Sequence, residues 1–202
     1  MSWPRVLIFA VLSAVLGAAV LMIPFIRTTS LANFGALPEG WLVLALVVAL
    51  NCARPLEAGL KTLVFFLVSQ PLIYLFQIIV GFNTWELFRF YPYWFGLSLL
   101  CFPAAIVAWF VKKENILSAV ILSAGTSMLA LLGVYFVENC FAYMAYSQTC
   151  FPKHSLSAVF CFASAGILIF ALLSKPRERI ITGAVTVLAT AAGVLLALNG
   201  ML

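Results

Sequence analysis

The chain has 202 residues, 65% of them hydrophobic and only 8% charged, with a net charge of +5. A soluble domain carries about 25% charged residues, and the mean hydropathy here is +1.18, so the composition excludes a water-soluble globule. The positive excess lies in short links between apolar runs. There it orients a membrane protein against anionic lipid and does not call for a nucleic-acid partner.

Crossing a bilayer takes about 20 apolar residues in an α-helix, and backbone groups in lipid must be satisfied within the segment. The apolar runs do not alternate as barrel strands do. They predict an all-α polytopic bundle, one transmembrane domain over residues 1–202. Its seven spans fall at about 6–26, 37–53, 62–80, 93–111, 116–137, 155–173 and 180–198.

The first run follows Arg5 and continues through Gly17, Ala18 and Ala19 without the polar, small-residue end of a cleaved signal. It reads as a retained helix. Ala10, Ala14 and Ala18 recur every fourth position, as do Ser13 and Gly17, giving a face on which another helix can approach closely. The second run is the weakest. Its strongly apolar part, residues 41–53, reaches only about 20 Å, and a start at Leu37 with Pro38 in the first turn brings it to a minimal span. The alternative is six spans, with 41–53 dipping into the membrane from the cytoplasmic side.

Arg54, Glu57 and Lys61 frame the start of the third run, the last two at a favourable i, i+4 spacing. Further along it Gln70, Tyr74 and Gln77 share one helical face, with Ser69 adjacent and Pro71 interrupting the hydrogen-bond ladder. Amides facing lipid are costly, so this stripe is expected to point into the bundle as a ligand site or as helix–helix hydrogen bonds. Between the third and fourth runs lie Phe82, Trp85, Phe88, Phe90, Tyr91, Tyr93, Trp94 and Phe95. This cluster suits an interfacial aromatic belt, or a short interfacial helix over Trp85–Tyr91. It also suits a lid over an outward pocket, joined by Phe141, Tyr143, Tyr146 and Phe151 of the loop 138–154. Cys140 and Cys150 in that loop are expected to form a disulfide on an oxidising exterior. Cys52, Cys101 and Cys161 read as small apolar residues. Ser123 and Ser127, and Thr182, Thr186 and Thr190, form further small-residue faces, for packing within the chain or for a partner helix or second copy.

Orientation follows from the basic residues. With seven spans and the N-terminus inside, Arg5, Arg54, Lys61, Lys112, Lys113, Lys175, Arg177 and Arg179 are cytoplasmic, against Arg27, Arg89 and Lys153 outside. That bias places the C-terminus outside a plasma membrane, or the inner membrane of a bacterium. In the six-span alternative Arg5 and Arg27 exchange sides and the tally is unchanged.

The residue inventory argues against catalysis. His154 is the sole histidine, with only Glu138, Cys140 and Cys150 near it in sequence, so no metal or other cofactor is expected. No helix serine has a base at membrane depth, and there is no phosphate-binding loop. No ionisable residue falls in the middle of a predicted span, which argues against a self-contained proton-driven pump.

The Ala10, Ala14, Ala18 spacing on a first helix, in a chain of this size, resembles the substrate-binding components of energy-coupling-factor vitamin transporters. In that family the face contacts the transmembrane coupling subunit, so the resemblance implies such a partner. Seven spans, or an outside C-terminus, depart from that family's six-span plan. The expected function is binding or transport of a small, largely uncharged or amphipathic molecule from the outer face, with Ser69, Gln70, Tyr74, Gln77, Trp85, Tyr91 and Tyr143 as the site. The alternatives are a non-catalytic accessory subunit and, with less support, an intramembrane lipid-modifying enzyme.

Overall fold

The structure, a computed structural model, describes residues 1–33, 38–146 and 154–198, without the side chains of residues 31, 33, 38 and 143–146. Among the described residues all regular structure is helical. Six helical segments are long and apolar enough to cross a membrane: Trp3–Met22, Pro55–Ile79, Trp85–Lys113, Ile116–Ala142, Ser155–Leu172 and Pro176–Leu198. The chain is an integral membrane protein of the polytopic helix-bundle class. Its lipid-facing surface shows in exposed side chains such as Leu12, Leu100, Phe170 and Leu188, which in lipid carry no penalty.

The expected second span is the exception. It forms helix α3, Pro38–Leu50, of 13 residues, after α1 (Trp3–Ala19) and a short α2 (Pro24–Arg27). At 1.5 Å per residue α3 is about 20 Å long, short of the hydrocarbon core. By helix length and composition six segments can span, and α3 alone falls short. The first span also ends earlier than residue 26. Ile23 turns extended (φ −86°, ψ 109°) ahead of Pro24, because the proline ring crowds a helical residue before it.

The chain divides into two compact units, Met1–Trp109 and Phe110–Leu202. In the first, α4 (Pro55–Ile79) is the central element, packed against α1, α3 and α5 (Tyr91–Ala108). Lys61 sits almost buried near its start, bonded to Glu57 and lying 5.3 Å from the Trp3 ring centroid. The expected i, i+4 pair is formed. At Gly59 a Cβ would meet the Phe102 carbonyl oxygen at 2.9 Å and Ile106 Cγ1 at 2.8 Å, so hydrogen alone lets α4 and α5 meet there. The other end of α4 closes on Gly81 at φ 77°. The Gly81 N–H donates to Ile78 O and the Phe82 N–H to Gln77 O, a Schellman closure that glycine adopts without steric cost.

The second unit packs α6 (Ile116–Tyr146) against α7 (Ser155–Leu172) and α8 (Pro176–Leu198). Asn115 and Ser118 cap α6 reciprocally: the Ser118 N–H donates to Asn115 Oδ1 at 2.9 Å and the Asn115 N–H to Ser118 Oγ at 3.2 Å. Helix α6 runs nine residues past the expected end at 137, so the first half of the expected outer loop is helical. Its apolar run offers no proline or glycine between Val134 and Tyr146 to stop it.

Candidate binding site in the N-terminal unit

The stripe on α4 runs through three environments. Ser69 and Gln70 are buried at 2% exposure each and line a cavity of about 40 Å3 with Ser13, Leu16, Gly17, Leu44 and Ile73. The expected inward direction of these two residues holds. Ser13 and Gly17, equally spaced small residues of α1, form the facing wall. That volume holds a few waters or a molecule of few heavy atoms, far below the roughly 300 Å3 at which drug-sized ligands fit.

Tyr74, four residues on, is not in the cavity. Its ring is buried with Ala14 and Ile73 and meets Phe88 edge-on, centroids 5.6 Å apart at 87°. Gln77 belongs to the helix end, where its Oε1 accepts a 2.8 Å hydrogen bond from Asn83 Nδ2. The shared face is real, but about 10 Å of helix separates its first and last members.

The aromatic segment divides in two. It opens with a 3-10 helix, Trp85–Phe90, matching the short element expected there. Leu87, Phe88 and Tyr91 pack on the Ala14, Ile73 and Tyr74 cluster and cover one end of the α1–α4 seam. Trp85 and Tyr93 stay exposed, at 67% and 65%, as a belt requires. Trp85 stacks on Phe88 at 5.8 Å, while Arg89 lies 4.8 Å from the Phe90 ring. Of the lid expected from the loop 138–154, the side chains of Tyr143 and Tyr146, and all of Cys150 and Phe151, lie outside the described residues. So does the expected Cys140–Cys150 bond.

The small-residue faces are occupied within the chain. Ala10 and Ala14 are fully buried and Ala18 nearly so. Ala10 lies with Phe65 and Phe66 of α4, and Ala14 with Ile73 and Tyr74. In the second unit Thr126 and Thr186 share a 2.7 Å hydrogen bond, and Thr182 Oγ1 donates to Ala119 O at 3.2 Å.

Sequence reasoning missed Glu39. It lies in the first turn of α3, is fully buried, and neither carboxyl oxygen has a hydrogen-bond partner. Two residues on, Trp41 stacks on Phe66 (centroids 4.2 Å apart, 12°) and leans on Trp94 at 5.2 Å. Phe66 is the twelfth of the 25 residues of α4. The opening turn of α3 thus sits about halfway along its neighbour, while its last turns and the residues after them pack at the start of α4, where Ala49 and Cys52 meet Ala58. Glu39 opens α3 and does not fall in the middle of a span, yet it lies buried among the helices. Its signal was available: Pro38-Glu39-Gly40 opens an apolar run too short to span, and a short helix anchored at one face must begin inside. The chain matches no family model, no curated protein and no solved structure, so its chemistry rests on these residues alone.

Proposed function

We propose that the chain is a non-catalytic membrane protein that binds or transports a small, largely uncharged molecule, with its site in the N-terminal unit between α1, α3 and α4. The observation that carries this reading is the pairing of a buried amide and hydroxyl, Gln70 and Ser69, with a small cavity beside a helix that stops short of a full span. Polar side chains among apolar helices are costly unless they serve packing or a ligand. The cover of Leu87, Phe88 and Tyr91 at the Tyr74 end suits entry from the outer face under the orientation that the basic residues favour, with the C-terminus outside a plasma membrane. The size of the cavity narrows the ligand from the amphipathic, vitamin-sized class to one of few heavy atoms, or to a larger one admitted only when the aromatic cover moves.

The test is a thermal-shift panel of small uncharged solutes on the purified chain, repeated with Gln70→Ala, with Gly17→Leu to fill the cavity, and with Gln77→Ala. A stabilising solute should lose its effect in the first two variants and keep it in the third. Stabilisation that survives Gly17→Leu would move the site elsewhere. The accessory-subunit alternative draws no support from the faces of Ala10, Ala14, Thr182 and Thr186, which are covered within the chain.

A further inference from the structure

Glu39 stands outside the cavity lining and outside every hydrogen bond and ion pair described above. We infer that it is a proton-binding site at membrane depth, neutral in the packed state and exchanging its proton with water when the first turn of α3 opens. This deepens the binding reading by naming the proton as a ligand of the same unit.

Three observations carry the inference. The first is burial with little compensation: at 0% exposure, with no other residue bonded to either oxygen and only its own backbone N–H favouring the anion, an ionised carboxylate would meet a large cost of desolvation. The second is that, among the described residues, no counter-charge is paired with it: Arg27 of α2, the nearest basic residue in sequence, lies 4.9 Å from the Phe82 ring centroid. Helix α3 has no other ionisable side chain, and α1 offers only Arg5, near its own start. Helix α4 offers Lys61, bonded to Glu57 near the opposite end of α3, and Tyr74, packed on Phe88. Helix α5 offers Tyr91, Tyr93 and Cys101, none of them bonded to Glu39. The third is depth, fixed by Trp41 against the middle of α4.

Together these select a proton over a metal ion. Among the described residues no group of three or more His, Cys, Asp or Glu side chains is assembled, whereas a hard cation takes about six oxygen ligands. A proton needs one carboxyl. The exchange is a simple one: an O–H bond forms at one carboxyl oxygen as the proton arrives from water, and breaks as it returns, with no electron transferred. The position of Glu39 in the first turn of α3 favours release once water enters, because the positive end of the helix dipole stabilises the anion. A carboxyl in mid-helix would lack that assistance.

Infrared spectroscopy of the full chain in lipid at neutral pH tests this without any organic ligand. Wild type should show the carbonyl stretch of a protonated carboxylic acid. Glu39→Gln, which copies the neutral acid in shape, should fold normally and lose the band, while Glu39→Asp should keep one at a displaced frequency. Transfer to heavy water should shift the wild-type band, reporting exchange. Identical acid-region spectra for wild type and Glu39→Gln would overturn the inference, as would a band that heavy water leaves unmoved. Loss of solute binding in the cavity variants bears on the preceding section alone, because these spectra do not depend on a bound solute.

Discussion

The two units differ in what surrounds their buried polar groups. In the second, α6 and α8 commit hydroxyls to each other: Thr126 to Thr186, and Thr182 to the Ala119 carbonyl. In the first, Gln70 and Ser69 border a cavity, and Glu39 keeps two oxygens unpartnered. Both units are built from apolar helices with small residues at the crossings. The contrast shows that polarity among membrane helices is not by itself a functional mark. Unpartnered buried oxygens occur in both units, at Ser127 and Glu178 as well as at Glu39; what sets the first unit apart is a cavity beside its buried polar pair, next to the one helix too short to span.

Four experiments break or sharpen that contrast. The largest effect is expected at Trp41, which holds α3 in place. Trp41→Ala removes an indole stacked between Phe66 and Trp94 and should cost about 3 kcal/mol, the low end for a buried Trp truncation. Denaturant unfolding should show that loss. Next is Gly59→Ala, whose new methyl presses on a backbone carbonyl that cannot rotate away. The expected loss is about 1–3 kcal/mol, read as a lower thermal midpoint, whereas Gly96→Ala, with open space around it, should change little.

A smaller effect belongs to the second unit. A double-mutant cycle on Thr126→Val and Thr186→Val should return a coupling of about 0.6 kcal/mol, as other interhelical hydrogen bonds in membranes do. No coupling would remove the contrast between the units. The smallest effect is Glu39→Gln. A neutral isostere of a neutral acid should leave the thermal midpoint close to that of wild type. A large destabilisation would mean that Glu39 works as an anion.

Much of the fold was legible because lipid demands long apolar runs, and the chain has them. Six runs became six spanning helices, and the marginal seventh stayed marginal. The end of α6 was missed because residues 138–146 carry polar and aromatic side chains, which lower hydropathy without breaking a helix. The site was half legible. Periodicity placed Gln70 and Gln77 on one face, but it carries no record of where a neighbouring helix stops. That stop decides which of the two meets a cavity and which meets Asn83. Glu39 was hidden for the same reason: its burial comes from Trp41 docking on Phe66, a contact 25 positions apart in sequence.

The shortness of α3 also bears on how the protein is made. A 13-residue helix does not by its own length hold a place across the hydrocarbon, and the partners that seat Trp41 lie on α4 and α5, synthesised after it. During synthesis α3 therefore has to wait at the membrane surface or against the insertion machinery until α4 has entered. The order of assembly differs from the order of the chain, and the turn that carries Glu39 is among the last parts of its unit to be closed off from water.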